Sequence, residues 1–331
     1  MSANLTFGAV REAAARIAPH VPPTPTLRAA GIDRWIGARV HLKAEHLHAT
    51  GAFKLRGATN AVLQLTDEEA ARGVVAHSSG NHASALARAA SSRGIACTIV
   101  IPEGTPAAKV AATEAEGGRI VWCEPTMEAR VAAVARLVDD TDAVEIHPFD
   151  DPRVQAGQGT AALELLQGAP EIGLVIAPVS GGGLLSGTAI TAHGVAPGLP
   201  VWGAEPAAVD DAARSLAAGH LVLDGAGPTI ADGLVAQLSA TTLAILQAEQ
   251  VQVVTVSEDE IVEGMRRLAV DAKQVVEPSG AVALAGLARL ARDGVALPSD
   301  VGVIVSGGNV DLDIWHELVA GPGFGAGPGT P

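Results

Sequence analysis

The sequence predicts an α/β fold of two lobes, each a mostly parallel sheet flanked by helices. Three observations carry this expectation. From about Val74 short apolar strings alternate with helical stretches of small residues, the alternation restarts after AVEIHPFDDP, and polar loops bearing glycine follow several of the strings. Apolar runs of four to six residues without polar alternation suit strands covered on both faces, and strands separated by helices give parallel pairing.

The elements follow in order. Residues 1–20, MSANLTFGAVREAAARIAPH, read as an amphipathic helix, and a second helix begins at about Lys54 in KAEHLHATGAFKLRG, residues 43–57. The strings VVAH, CTIVI and RIVWC are strands, followed by helices from Asn81, Pro106 and Thr126. After residue 150 come a helix over 154–166, the strand LVIAPV, a helix from Leu185, the strand PVWGAEP and a helix from Asp210. VQVVTV, helices over 259–273 and 279–292, and a last strand VGVIVSGGN complete the pattern. Periodicity alone gives two consecutive lobes. The boundaries assigned make 52–148 a smaller lobe inserted into a larger one built from 1–51 and 149–320, with 321–331 a Gly- and Pro-rich disordered tail.

Composition narrows the function. With 48% hydrophobic residues the 331-residue chain has ample core material, whereas 2% aromatics, no tyrosine and a net charge of -14 leave neither a stacking platform nor a basic stripe for nucleic acid. No apolar run reaches the roughly 20 residues of a membrane span. The N-terminus lacks the flank and cleavage site of an export signal, and Cys97 and Cys123 are too few for a disulfide framework or zinc site, so reduced, buried thiols and a cytoplasmic protein are expected.

The chemistry concentrates in four places. The chain has only four lysines, Lys43, Lys54, Lys109 and Lys273, so lysine is not its general surface charge. Lys54 sits among small and apolar residues, where an amine loses its proton and becomes nucleophilic; a solvated lysine in a first helical turn is the alternative. SGGGLLSG, residues 180–187, follows a strand and offers backbone N–H groups at a helix start, either as an anion cradle or as a tight turn. It lacks the endings of a nucleotide-triphosphate loop and the spacing of a dinucleotide fold. HSSGNHA, residues 77–83, orients hydroxyls and an amide, or merely caps a helix, and VSGGN, residues 305–309, presents Ser306 after the last strand. Ligands in open α/β sheets bind at that carboxyl edge.

These motifs resemble the fold-type II pyridoxal-phosphate enzymes, which share the tryptophan synthase β-like fold, and specifically the serine/threonine dehydratase and serine racemase family, over residues from about 24 to 314. GAFKLRG matches the family's GxFKxRG, and the resemblance makes Lys54 the residue bonded to the aldehyde of pyridoxal 5'-phosphate. It makes Asn81 the partner of the ring hydroxyl, Gly181, Gly182, Gly183 and Leu184 the phosphate loop, and Ser306 the partner of the ring nitrogen. Ser78, Ser79, Gly80, Asn81 and His82 would bind substrate, with Arg130 reaching it from the small lobe unless it is a solvated helix arginine. The departures are Ala83 where many relatives have glycine, and Ser180 where some have a further glycine; KLR separates the chain from relatives with KDR.

The activity implied is β-elimination of L-serine or L-threonine to a 2-keto acid and ammonia. Ser79, as an acid on the face opposite Lys54, raises the case for serine racemase activity. A 3-hydroxyaspartate dehydratase fits nearly as well, and a non-catalytic phosphate- or amino-acid-binding module is the alternative of another class. The resemblance also places a divalent ion, Mg²⁺ or else Ca²⁺ or Mn²⁺, on Glu205, the Val209 carbonyl and Asp211, where the plainer reading is an acidic helix start. A homodimer is implied, and no regulatory domain is expected after Asn309.

Overall fold

The structure is a computed structural model that describes residues 5–78, 80–224 and 227–321. Among them are ten strands: β1 (Thr26–Leu27), β2 (Arg39–Ala44), β3 (Val74–His77), β4 (Cys97–Pro102), β5 (Arg119–Cys123), β6 (Val144–Glu145), β7 (Val175–Pro178), β8 (Val201–Pro206), β9 (Gln252–Val256) and β10 (Asp300–Val305). They form a six-stranded sheet in the order β1-β2-β10-β7-β8-β9 and a four-stranded sheet in the order β5-β4-β3-β6. Only the β1–β2 pair is antiparallel. Parallel strands need helical crossovers, which cover both faces and explain the uninterrupted apolar runs.

The helix Pro278–Arg292, nearly all buried, lies against the large sheet with Val301, Val303 and Val305 of β10 in one core. A second core packs the helix Asn81–Ser92 and part of the helix Lys54–Leu63 on the small sheet. The helix Pro152–Gly168 is buried along most of its length, with Val154 in the small-sheet core and Leu165 in a core of the large sheet. Glycines make this close packing possible: a Cβ on Gly157 would stand 2.6 Å from Gly57 Cα.

Differences from the expected elements have local causes. The expected helix at Leu185 starts at Gly183, because Gly182 takes a left-handed φ of 88° as its N-cap. The sequence reading passed over β2 because HLKAEH looks polar, yet His41, Lys43 and Glu45 are all buried as paired groups. It also passed over four short helices, Ala30–Ile36, Asp67–Arg72, Ala240–Ala248 and Leu312–Val319. Two of these carry capping boxes, at Thr66 with Glu69 and at Ser239 with Thr242. Cys97 is buried as expected, but Cys123 is only half-buried at the end of β5. Of the expected disordered tail, 322–331 lie outside the described residues.

Candidate active site

Lys54 opens the helix Lys54–Leu63, whose N-terminus has no side-chain cap. Its position is fixed from two sides. The preceding segment pairs with the chain after β10: Ala52 bridges Gly307, Phe53 N donates to Ser306 O at 3.0 Å, and Gly308 N donates to Gly51 O at 2.9 Å. From the opposite face Arg56, fully buried, donates to both oxygens of Glu45 at 2.6 and 2.9 Å and to both of Glu164 at 2.7 and 2.8 Å. Lys43 joins Glu164 at 2.6 Å, so two cations balance two carboxylates beneath the helix. Burial by itself would raise the Glu45 carboxyl, but Arg56 and His48 outweigh it and hold it below the ordinary carboxylate range. The Lys54 amine donates to Pro148 O at 2.8 Å, and burial alone brings its pKa down to about 8. With no carboxylate pulling the proton back, it is the lysine of this chain best prepared to act as a nucleophile or base.

The loops expected around Lys54 come together there. Asn81 begins the helix after β3 and is held across the two sheets: its Nδ2 donates to Glu277 Oε1 at 2.8 Å, and its Oδ1 accepts from Asn309 Nδ2 at 2.8 Å. Asn309 Nδ2 also donates to Thr50 O at 2.8 Å, tying the network to the segment before Lys54. Burial pushes the Glu277 carboxyl up to about 8, with Asp232 adding to it and Asn81 opposing. Ser306 is buried, and its hydroxyl donates to Ser279 O at 3.3 Å. Ser78 Oγ accepts from Gly80 N at 3.3 Å, and His82 is buried against Ile146 O at 3.0 Å. Ser79 lies outside the described residues.

The glycine loop ends β7 and starts the helix Gly183–Val195 without a side-chain cap, which leaves its first N–H groups for an anion. Phe149, next to Pro148, packs so close behind it that a Cβ on Gly181 would stand 2.4 Å from the ring. Thr242 and Leu238 close on Gly182 in the same way. Ser180, the departure noted in the sequence, is used structurally: its hydroxyl donates to Ala236 O and accepts from Ala236 N, both at 3.0 Å. Leu184 is buried in the first turn. An amine of lowered pKa, an amide anchored for a ring oxygen, a serine hydroxyl and an uncapped helix start therefore fit pyridoxal phosphate without a missing group.

The expected metal ligands form a separate group. Glu205 lies one residue before the end of β8 and accepts from Ala212 N at 3.2 Å and Ala213 N at 2.7 Å; burial raises its pKa to about 8. Asp211 also sits above its ordinary pKa through burial, and accepts from Leu238 N at 3.1 Å. Val209 is buried in the turn between them. Two desolvated carboxylates and a carbonyl suit a hard cation. Among the described residues a cluster of three possible ligands, His41, Glu171 and Asp300, lies elsewhere, with His41 on β2 and Asp300 at the start of β10. There Arg39 and His41 already engage Asp300.

Several functional side chains escaped the sequence reading. Glu277, Asn309 and Thr50 carry no signal by spacing, since each acts through contacts between residues 196 or more positions apart, and Phe149 meets the glycine loop only in the fold; EPSGA before the helix at Pro278 was the one visible cue. His147 was also missed; it stands edge-on to His77 and to Phe149, with ring centroids 5.8 and 4.6 Å apart.

Comparison with known proteins agrees with this geometry. A family model described as "Pyridoxal-phosphate dependent enzyme" matches residues 17–307. A serine racemase of Oryza sativa subsp. indica is 44% identical over 313 residues, covering 93% of this chain and 92% of the relative. A beta-hydroxyaspartate dehydratase of Paracoccus denitrificans is 43% identical over 298 residues, covering 90% and 94%. The solved structure of maize serine racemase superposes with a TM-score of 0.91 at 41% identity, covering 96% of this chain and 98% of that one. With a buried lysine, an amide clamp and an uncapped phosphate cradle on a matching fold, the chain belongs to the pyridoxal-phosphate dependent enzyme family.

Proposed function

We propose that this enzyme removes water from a 3-hydroxy amino acid, L-serine, L-threonine or 3-hydroxyaspartate, to give a 2-keto acid and ammonia, with serine racemisation as a companion activity. The observation that carries the reading is the Lys54 amine, buried, lowered to about 8 and placed where the loops after β2, β3, β7 and β10 converge. Pyridoxal phosphate, when bound, supplies the electron sink for charge developing on the substrate's Cα.

The chain's residues supply the rest. Lys54 holds the cofactor aldehyde and, as a free amine, takes the Cα proton; a pKa near neutrality leaves a useful neutral fraction while keeping basicity. Asn81, oriented by Glu277 and Asn309, donates to the ring oxygen. The N–H groups of Gly181, Gly182, Gly183 and Leu184 take the phosphate. Ser306 meets the ring nitrogen with a neutral hydroxyl, which cannot hold that nitrogen protonated as a carboxylate would and so favours loss of the β-hydroxyl over transamination. Ser78, Ser79, Gly80, Asn81 and His82 receive the substrate, with Ser79 delivering a proton to the face opposite Lys54. Arg130 approaches as the lobe of residues 52–148 closes and excludes water. Glu205, the Val209 carbonyl and Asp211 hold Mg²⁺, or Ca²⁺ or Mn²⁺, in a structural or activating role; Asp211 reaches the phosphate loop through Leu238. The same reading carries a homodimer and a cytoplasmic place of action.

The test is direct. Protein loaded with pyridoxal phosphate and Mg²⁺ is offered L-serine, L-threonine and L-threo-3-hydroxyaspartate separately, and keto acid and enantiomer are both measured. Keto acid from at least one, lost in Lys54→Ala, is expected; undiminished turnover by Lys54→Ala would overturn the assignment. Ser79→Ala should lose racemisation while keeping much of the elimination.

A further inference from the structure

Lys109 stands where a lysine has no local reason to be. It lies in the first turn of the helix Ala107–Ala115, which has neither a side-chain cap nor an acidic residue there, and a cation at a helix start opposes the backbone dipole. The helix follows β4, so this turn is at the carboxyl edge of the small sheet, the edge that also carries the loop of Ser78 and Asn81 after β3. Thr113 is the one buried residue of the helix, so packing on its own sheet holds it weakly. What Lys109 reaches is a carboxylate 123 positions away: its Nζ donates to Asp232 Oδ2, and among the described residues neither has another ion-pair partner.

Asp232 opens a short turn, Asp232–Leu234, in a segment fastened at several points of the large-sheet part. Ile230 N donates to Glu258 Oε2 at 2.9 Å, and Gly233 N, next to Asp232, donates to the Ser279 hydroxyl at 3.0 Å. The carbonyl of the same Ser279 accepts from the Ser306 hydroxyl. Further along, Ala236 pairs through both its N and its O with Ser180, the residue before the phosphate glycines. The pair also lies within charge range of Glu277, whose carboxyl, raised first by burial, is raised further by Asp232 and lowered by Lys109. Glu277 in turn orients Asn81. The ion pair therefore joins a lightly packed helix of the small sheet to the segment that braces both the Ser306 hydroxyl and the phosphate loop.

We infer that Lys109 and Asp232 are positioning residues, a latch that holds the lobe of residues 52–148 shut over the cofactor once substrate is bound. This rests on the pyridoxal-phosphate reading and adds to it the contact that keeps the site closed. In the open lobe both side chains return to water at little cost, so the pair contributes little to folding stability. Its effect falls on the balance between open and shut forms of the substrate complex. A well-populated shut form keeps kcat, and its partial loss lets substrate escape, which raises KM. Two part-exposed charges are screened by salt, so the latch weakens as ionic strength rises.

The test compares the cofactor-loaded parent with Lys109→Met, with Asp232→Asn, and with the exchanged pair Lys109→Asp and Asp232→Lys, at low and at high salt. Kinetics are read with whichever of L-serine, L-threonine and L-threo-3-hydroxyaspartate the parent turns over best, and backbone hydrogen exchange over residues 107–115 is followed in the same proteins. Each single variant should raise KM about fivefold at low salt with kcat nearly kept and Tm little moved. The exchanged pair should recover most of the loss, and high salt should bring the parent to the level of the single variants. Exchange over 107–115 should quicken in the single variants and slow again in the exchanged pair. Equal KM in parent and single variants, or a loss that salt does not mimic and the exchanged pair does not repair, would overturn the inference. Turnover of none of the three amino acids would instead defeat the reading beneath it, and the exchange rates then decide the latch alone: rates indifferent to residues 109 and 232 overturn it.

Discussion

Lys54 and Glu277 are both displaced from their ordinary charge states by burial, and the two make opposite demands on pH. A lysine that is lowered to about 8 in the fold but sits near 10.5 when unfolded costs stability below about 8, and that cost disappears as pH rises from about 8 to 10.5. Glu277 is raised from 4.5 to about 8, so its contribution is present below 4.5 and is lost as pH rises through 8. In cofactor-free protein Glu277→Gln should therefore flatten the fall of stability between pH 4.5 and 8, while Tm at pH 4.5 stays close to that of the parent. Denaturation midpoints across that range check it; an unchanged slope would place the buried proton elsewhere. Lys54 was legible from its sequence surroundings and the scarcity of lysine. Glu277 was not, because its burial beside Asn81 is made by residues 196 positions apart.

Among the elements, the helix at Lys54 has little local reason to start where it does. It lacks a cap, and its first turn is held by Arg56 on Glu45 and Glu164. Breaking a buried ion pair from one side costs about 3–5 kcal/mol, so Arg56→Met should lower stability by that order. It should also weaken cofactor binding beyond what the loss of stability explains, measured by titrating pyridoxal phosphate at a temperature where the variant remains folded. Arg56→Lys should recover part of the stability but less of the binding, since an ammonium cannot grip two carboxylates through a planar fork. The strands and long helices were legible because a parallel sheet writes its burial as plain apolar runs. The element bearing Lys43 and Glu45 was hidden by the same ion pairs that hold the site, for their partners Arg56 and Glu164 lie elsewhere in the sequence.

At the scale of the whole molecule, side chains on helices packed against the small sheet reach residues of the large-sheet part, among them Asn81 with Glu277 and Asn309, Arg56 with Glu45 and Glu164, and Lys109 with Asp232. Among the described residues no helix is long and apolar enough to cross a membrane. The proposed cation ties β8 to the turn behind the phosphate loop, and Glu205 must lose its proton to bind it. Mg²⁺ should therefore raise Tm more at pH 8.5 than at pH 6.5, and Glu205→Gln should remove the difference; a shift independent of both would count against the site. The glycine-bearing loops at the carboxyl edge marked the cleft from the sequence alone. What the sequence withheld was the pairing across the cleft, which depends on how the two sheets face each other.

The account depends on one amine above all others. Protein reconstituted with pyridoxal phosphate, reduced with borohydride and digested should carry the pyridoxyl mass on the peptide containing Lys54, near one label per chain, with Lys43, Lys109 and Lys273 unmodified. A label shared among the exposed lysines, or confined to any residue but Lys54, would contradict it.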